Sequence, residues 1–286
     1  MSAFTQLAAV GVTLMQARAY IMARVNDPVA IYNAAKTVGL TTGMLAEIAG
    51  VSSSAVKSYF NINSVDWTKL NPAKTDYVFL TDLVDGGVFL YNSVTQVGKK
   101  IYSFGRQVTD IAVDESGNIY VTDFSQLIKY DITAKSLQTL AFHNADLNSL
   151  AVSNDIVVGA SATNNLLYSF NSLNGQLISA LPSFGGTAAG DLAVVGNTLY
   201  KASTGQGIVS VQGQTGNVIA GSVSSDFWGM AQSPSGNLLA FSNGGNVAEI
   251  NISTGVVSGM PKVSLVGLNT ISGAAEAMDI HLSLFL

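Results

Sequence analysis

The sequence predicts a mainly β chain, a β-propeller of five blades, or six, preceded by a small α-helical domain. Three observations predict it. The stretch from residue 75 to 286 holds a degenerate repeat of about forty residues, each unit with four short alternating strands. Near residue 62 the hydrophobic period switches from the helical ~3.6 to 2. The 286 residues are 48% hydrophobic but only 11% charged, and they include 28 glycines, a composition that suits a sizeable core crossed by many tight turns.

The helical part, residues 1–61, divides as follows. Ala3 to Val25 is an apolar stretch with Arg18 and Arg24 near its end and nothing basic before it, so it reads as a retained helix and not as a secretory leader. Phe4, Leu7, Ala8, Val12, Met15, Ala19 and Met22 recur at helical spacing, which predicts one buried face. Asp27-Pro28 is a cap followed by proline at the first helical position, and Gly39 ends that helix. Thr41 or Thr42 caps the next, with Gly50 as terminator, and Ser52 caps a third. No apolar run reaches the ~18 residues of a membrane-spanning helix.

Residues 62–286 are the predicted propeller. The clearest unit runs from Val108 to Phe142, with strands DIAV, NIYVTD, LIKYD and SLQTLAF between turn residues. The same order returns from Asn148, from Gly190 and from Trp228. The first unit, Asp76 to Gly105, lacks a first strand, and the chain finishes with ISGAAEAMDIHLSLFL, which supplies a first strand and a surplus second one. A blade that takes strands from both ends of the repeat region pairs edges otherwise left open. Third strands at Phe89, Ile128, Leu167, Val209 and Ala248 give five blades, or six if residues 62 to 74 and the surplus strand form another.

The segments GNIYVTDFSQLIKYD and YVFLTDLVDGGVFLYN carry a family resemblance. They are similar to the repeat of NHL and related YVTN-type propellers, in which a second strand ends in Thr-Asp, here at Asp82 and Asp123. The other units have Ala160-Ser161, Ala202-Ser203 and Ser242-Asn243 at that point. The resemblance implies a fold, not an activity, because enzymes, nucleic-acid binders and scaffolds share it. Lactonase-like members hold a channel metal at the starts of innermost strands, positions that correspond to Asp110, Ser149, Asp191, Gly229 and Gly273. Two carboxylates and two glycines make a poor cage for an ion that takes six to eight oxygens, so no metal and no cofactor is expected, and Asp110 and Asp191 read as bonding local turns.

Other chemistry is sparse. The chain has no cysteine and only two histidines, His143 and His281, neither with a triad or metal partner at recognisable spacing, so no enzyme is expected. Asp114-Glu115 beside a Ser-Gly turn reads as a solvated hairpin, and GGTAAG from Gly185 lacks the Gly-Lys-Ser/Thr of a phosphate loop. LAEIAGVSSSAVKSYF, Leu45 to Phe60, resembles the helix-turn-helix of TetR-class repressors. Its second helix offers Lys57 alone to phosphates. Residues 1–60 carry Arg18, Arg24, Lys36 and Lys57 against Asp27 and Glu47, net +2, which leaves −7 for the rest of a −5 chain. That bulk would be repelled by DNA, so no nucleic acid is expected as partner.

The functional expectation is a non-enzymatic, secreted or cell-surface structural or adhesive propeller that associates with itself or with other surface proteins. The contact residues expected are Phe4, Leu7, Val12, Met15, Met22, Tyr59 and Phe60 of the helices and Ile280, Leu282 and Leu284 of the surplus strand. Small and acidic residues before a hydrophobic terminus, AAEAMDIHLSLFL, resemble a type I secretion signal that needs no leader peptide. The alternatives are a glycan- or peptide-binding face with Phe227, Trp228 and tyrosines as platforms, and a channel-metal hydrolase using Asp110 and Asp191.

Overall fold

The computed structural model describes residues 3–65, 74–114, 116–132, 134–153, 155–196, 198–212, 214–221 and 227–278. Helices occupy the first part: α1 (Ala3–Ala9), α2 (Leu14–Ala23), α3 (Pro28–Thr37), α4 (Thr42–Ala49) and α5 (Ser53–Ile62). The stretch expected as one helix from Ala3 to Val25 is two. Gly11 takes the left-handed φ of 72°, and Thr13 and Gln16 form a reciprocal capping box that starts α2 afresh. The break changes the phase of the helical face. Leu7 is buried and Val12 half-buried, whereas Phe4, Met15 and Met22 face solvent, contrary to the single buried stripe expected.

The other helices begin and end on their local chemistry. Asp27 accepts from Ala30 N, Thr41 from Met44 N and Ser52 from Ala55 N, while Gly50 closes α4 in the left-handed region. Their apolar faces meet in a core that includes Leu7, Ile31, Met44, Ile48, Val56 and Phe60. This unit rests on the β region through the starts of α4 and α5. Ser53 N donates to Asp155 Oδ2 at 2.8 Å, and a Cβ on Gly43 would lie 3.3 Å from Ser116 Oγ.

The rest is antiparallel β-sheet. One four-stranded sheet is built from β1 (Lys74–Asp82), β2 (Gly87–Asn92), β3 (Gly98–Ser103) and the last strand of the described chain, β19 (Ile271–Met278), in the order β19-β1-β2-β3. A seven-stranded sheet runs from β4 (Asp110–Val113), β5 (Ile119–Thr122) and β6 (Phe124–Asp131) through the long β7 (Ser136–Ser153) to β8 (Ile156–Ser161), β9 (Leu166–Asn171) and β10 (Leu177–Pro182). Two further four-stranded sheets follow: β11 (Ala188–Val195), β12 (Thr198–Ser203), β13 (Gly207–Gln212) and β14 (Thr215–Ala220), then β15 (Phe227–Gln232), β16 (Leu238–Ser242), β17 (Val247–Ile250) and β18 (Val257–Met260).

Burial follows strand position. β2, β4, β5 and β16 are buried at every residue, because both faces are covered by neighbouring sheets, while β10, β14 and β18 are mostly exposed. Turn chemistry explains the Asn, Asp and Ser content. Asp123, Asn171 and Asn251 each accept from backbone N–H groups two and three residues on. Asp114 accepts from Ser116 N and Asn118 N, two and four residues on, and from Tyr120 Oη at 3.0 Å, so it is a half-buried turn anchor and not the solvated hairpin acid expected.

β7 departs from the expected repeat. Its first half pairs with β6 and its second half with β8, so one continuous strand is outermost in one four-stranded unit and innermost in the next. Two repeats therefore fuse into the seven-stranded sheet. The innermost strands neighbour one another in the cyclic order β4, β7, β11, β15, β19 and back to β4. All five line a cavity of about 20 Å³, through Ile111, Leu150, Leu192, Met230 and Ala274 among others.

Candidate functional site

The axis of that ring holds the two carboxyl groups singled out from the sequence. Asp110 begins β4 and Asp191 lies on β11, and both side chains are fully buried. They do not bond local turns as expected, because their partners lie on other repeats. Asp110 Oδ2 accepts from Leu150 N on β7, while Asp191 Oδ2 accepts from Met230 N on β15 and from Ala274 N on β19 at 3.2 Å. Asp191 Oδ1 takes the N–H of Leu192. Two aspartates thus tie together all five innermost strands.

The two carboxyl groups lie close enough across the axis to act on each other's charge, while Asp110 Oδ1 has no hydrogen-bond partner. Burial raises both above the usual carboxylate range, and for Asp110 the charge of Asp191 adds to it. A proton on the pair is better placed on Asp110. Asp191 collects three backbone N–H donors, from Leu192, Met230 and Ala274, against the single Leu150 N–H for Asp110, so negative charge is better stabilised on Asp191. Gly273 makes the room, since a Cβ there would fall 1.9 Å from Asp110 Oδ1. The remaining positions of this layer are Ser149, also fully buried, and Gly229, where a Cβ would lie 3.0 Å from that of Ala274.

This arrangement clamps strands around two buried acids. The donors around it are N–H groups, which repel a cation, and among the described residues no three His, Cys, Asp or Glu side chains cluster as metal ligands. The adjoining cavity of about 20 Å³ admits a water molecule at most.

The expected contact residues separate into two groups. Leu7 and Phe60 are buried inside the helical core, and Tyr59 is half-buried with its hydroxyl donating to Val25 O at 2.9 Å, so these three hold the unit together instead of presenting a surface. Phe4, Met15 and Met22 are 62%, 79% and 62% exposed. Val12 packs against the core from the side. Ile280, Leu282, Leu284 and His281 lie outside the described residues. Phe227 and Trp228 are half-buried at the start of β15, where Gly190 makes room for the Trp228 backbone.

The helix-turn-helix resemblance is also resolved by contacts. Helices α4 and α5 form, but the first turn of α5 faces Asp155 of the β7–β8 turn. A recognition helix presents its N-terminal residues to base edges. Here the Asp155 carboxylate takes a first-turn N–H of that helix.

Sequence reasoning missed two features. Lys201 is buried with its Nζ donating to Ser183 Oγ and Gly186 O, each at 2.6 Å, and burial lowers its pKa to about 8. The second is a cleft of about 500 Å³ between β7 and the β9–β10 hairpin. It holds His143, whose ring lies 5.9 Å from that of Phe170 and whose pKa is lowered by burial. The alternation of β7 and β10 carried the signal for the cleft, with Phe142, Leu177 and Leu181 on positions an edge strand usually leaves polar.

No protein-family model and no curated protein matches the chain. Among solved structures it is similar to a chain of the nidogen/laminin complex, at 10% identity and a TM-score of 0.48 over 71% of this chain and 98% of that one. It is also similar to the WD40 β-propeller domain of Doa1, at 19% identity and a TM-score of 0.43 over 66% and 67% of the two chains. A chain of the mitotic checkpoint complex gives 13% identity and a TM-score of 0.43, over 67% of this chain and 62% of that one. Among the described residues, no helix is long and apolar enough to cross a membrane.

Proposed function

We propose that this chain is a five-bladed β-propeller that works as a non-enzymatic structural or adhesive unit outside the cell, copies being joined through the helical module. The observation that carries the association is α2. All ten of its residues escape full burial, and its face of Met15, Ala19 and Met22, with Phe4 of α1, presents apolar surface to solvent. Such a surface in a folded chain favours a partner.

The cyclic order of the innermost strands supports five blades, the sheet of β19 with β1 being one of them. A structural role in place of catalysis is supported by the axial carboxyl pair, enclosed by backbone N–H groups beside a cavity too small for a substrate. An exterior location is supported by the low charge and by turns rich in Asn, Ser and Asp. Light scattering and negative-stain microscopy of the full chain, alone and as Met15→Glu/Met22→Glu, test the reading. Ordered polymers that vanish in the double variant are expected, and a wild-type chain that stays a monodisperse monomer at high concentration rejects it.

A further inference from the structure

We propose that the cleft between β7 and the β9–β10 hairpin receives the α2 face of a second copy of this chain, making the contact head-to-tail; this rests on the self-association reading above. The cleft is a built apolar surface. Its floor is Leu140, Tyr168 and Phe170, and its mouth carries Phe142 and Leu177, 79% and 52% exposed. From the mouth the apolar surface continues along β10, where Ile178 and Leu181 are also exposed.

β10 is unusual among the outer strands. It ends the seven-stranded sheet, so its outer backbone edge is unpaired within the sheet. The corresponding edge strand β3 carries Lys99 and Lys100, and β14 and β18 consist mainly of Gly, Ser, Thr, Asn and Val. Charged or polar guards of that kind keep edges from pairing. β10, with the sequence LISALP, is uncharged like β14 and β18 but more apolar, with Pro182 as a guard only at its end.

Charge selects the occupant. Along α2 the exposed Met15, Arg18, Ala19 and Met22 share one face, Arg24 lies just beyond, and the helix contains no acidic residue. Two such faces pairing with each other would bring arginines against arginines. The chain beyond residue 60 carries −7 against +2 for residues 1–60, and beside the cleft exposed Asp146 stands three residues beyond His143, within electrostatic reach of it. Apolar surface thus meets apolar surface while arginine approaches carboxylate. The methionines are flexible enough to fill an irregular aromatic cleft. Because donor and acceptor surfaces differ, each copy keeps one of each, and the contact propagates into a filament instead of closing a dimer.

Sedimentation velocity on full-length variants tests this. Phe142→Glu/Leu177→Glu removes the acceptor and Met15→Glu/Met22→Glu the donor, at exposed positions where folding is preserved and is checked by circular dichroism. Each variant alone is expected to be monomeric. An equimolar mixture is expected to form 1:1 dimers and nothing longer, since each retains the half that the other lacks. Association of the acceptor variant at wild-type strength while the donor variant stays monomeric overturns the cleft contact and leaves self-association standing. A monomeric wild-type chain overturns both.

Discussion

Asp155, held at a left-handed φ of 64° in the β7–β8 turn, accepts a 2.8 Å hydrogen bond from Ser53 N and so caps a helix 102 residues away in sequence. The first-turn N–H groups of α5 have no partners within the helix, and the helix dipole favours a carboxylate there. Ser52 satisfies Ala55 N, and Asp155 takes the donor that Ser52 leaves. Asp155→Ala should cost about 1–2 kcal/mol, the usual worth of such a cap. Asp155→Asn, which keeps an acceptor and tolerates the left-handed backbone, should retain most of it. Urea unfolding together with amide exchange in the first turn of α5 separates the two, and equal protection in all three proteins would show that the contact holds nothing.

Local chemistry was legible in the sequence, and contacts between repeats were not. Caps at Asp27, Thr41 and Ser52 accept from N–H donors within three residues, so the residue type announces them. The strands of the clearest repeat unit are likewise local patterns, and β4, β5 and β6 fall where alternation and turn residues set them. The break at Gly11 was hidden by the continuous apolar spacing on either side of it. Asp110 and Asp191 could be placed on innermost strands by repeat position, but their bonding could not, because Leu150, Met230 and Ala274 come near them only when the ring forms.

The axial pair should respond unequally to the same substitution. Asp110→Asn puts a neutral amide where burial already disfavours the charge, and its oxygen can still accept from Leu150 N, so little stability is lost. Asp191→Asn replaces an acceptor of three N–H groups by a side chain with a single acceptor oxygen. At least one buried N–H then goes unsatisfied, costing about 1–3 kcal/mol, and the stabilised charge is lost as well. Denaturant midpoints give the answer. Equal losses from both variants would contradict the assignment of the proton to Asp110.

Gly273 should be intolerant of any side chain. A Cβ there would meet Asp110 Oδ1 at 1.9 Å and Asp110 Cα at 2.8 Å, inside a ring that cannot widen without separating its innermost strands. Gly273→Ala is expected to cost at least the ~1–3 kcal/mol typical of overpacking. Gly259→Ala is the control, since nothing lies within 4 Å of the added carbon on exposed β18, and it should shift stability by less than about 0.5 kcal/mol. Thermal unfolding of both variants suffices, and a tolerated Gly273→Ala would mean that the axis is looser than its hydrogen bonds require.

Two buried groups should give the stability curve slopes of opposite sign. Asp110 holds its proton in the folded chain above the ~3.9 at which an unfolded aspartate releases it. From that pH upward the native state binds more protons than the unfolded one, so stability falls as pH rises toward the folded pKa. Lys201 behaves in the reverse sense, with a folded pKa of about 8 against ~10.4 unfolded. Below pH 8 the full cost of burying its charge is present, and between about 8 and 10.4 the native state sheds a proton that the unfolded chain keeps, so stability rises there. Asp110→Asn should reduce the first slope, to which Asp191 and Asp114 contribute in the same sense, and leave the second, and Lys201→Met should remove the second and leave the first. Urea midpoints measured from pH 4 to 10.5 test both, and wild-type slopes surviving in the matching variant would assign the titration to other residues.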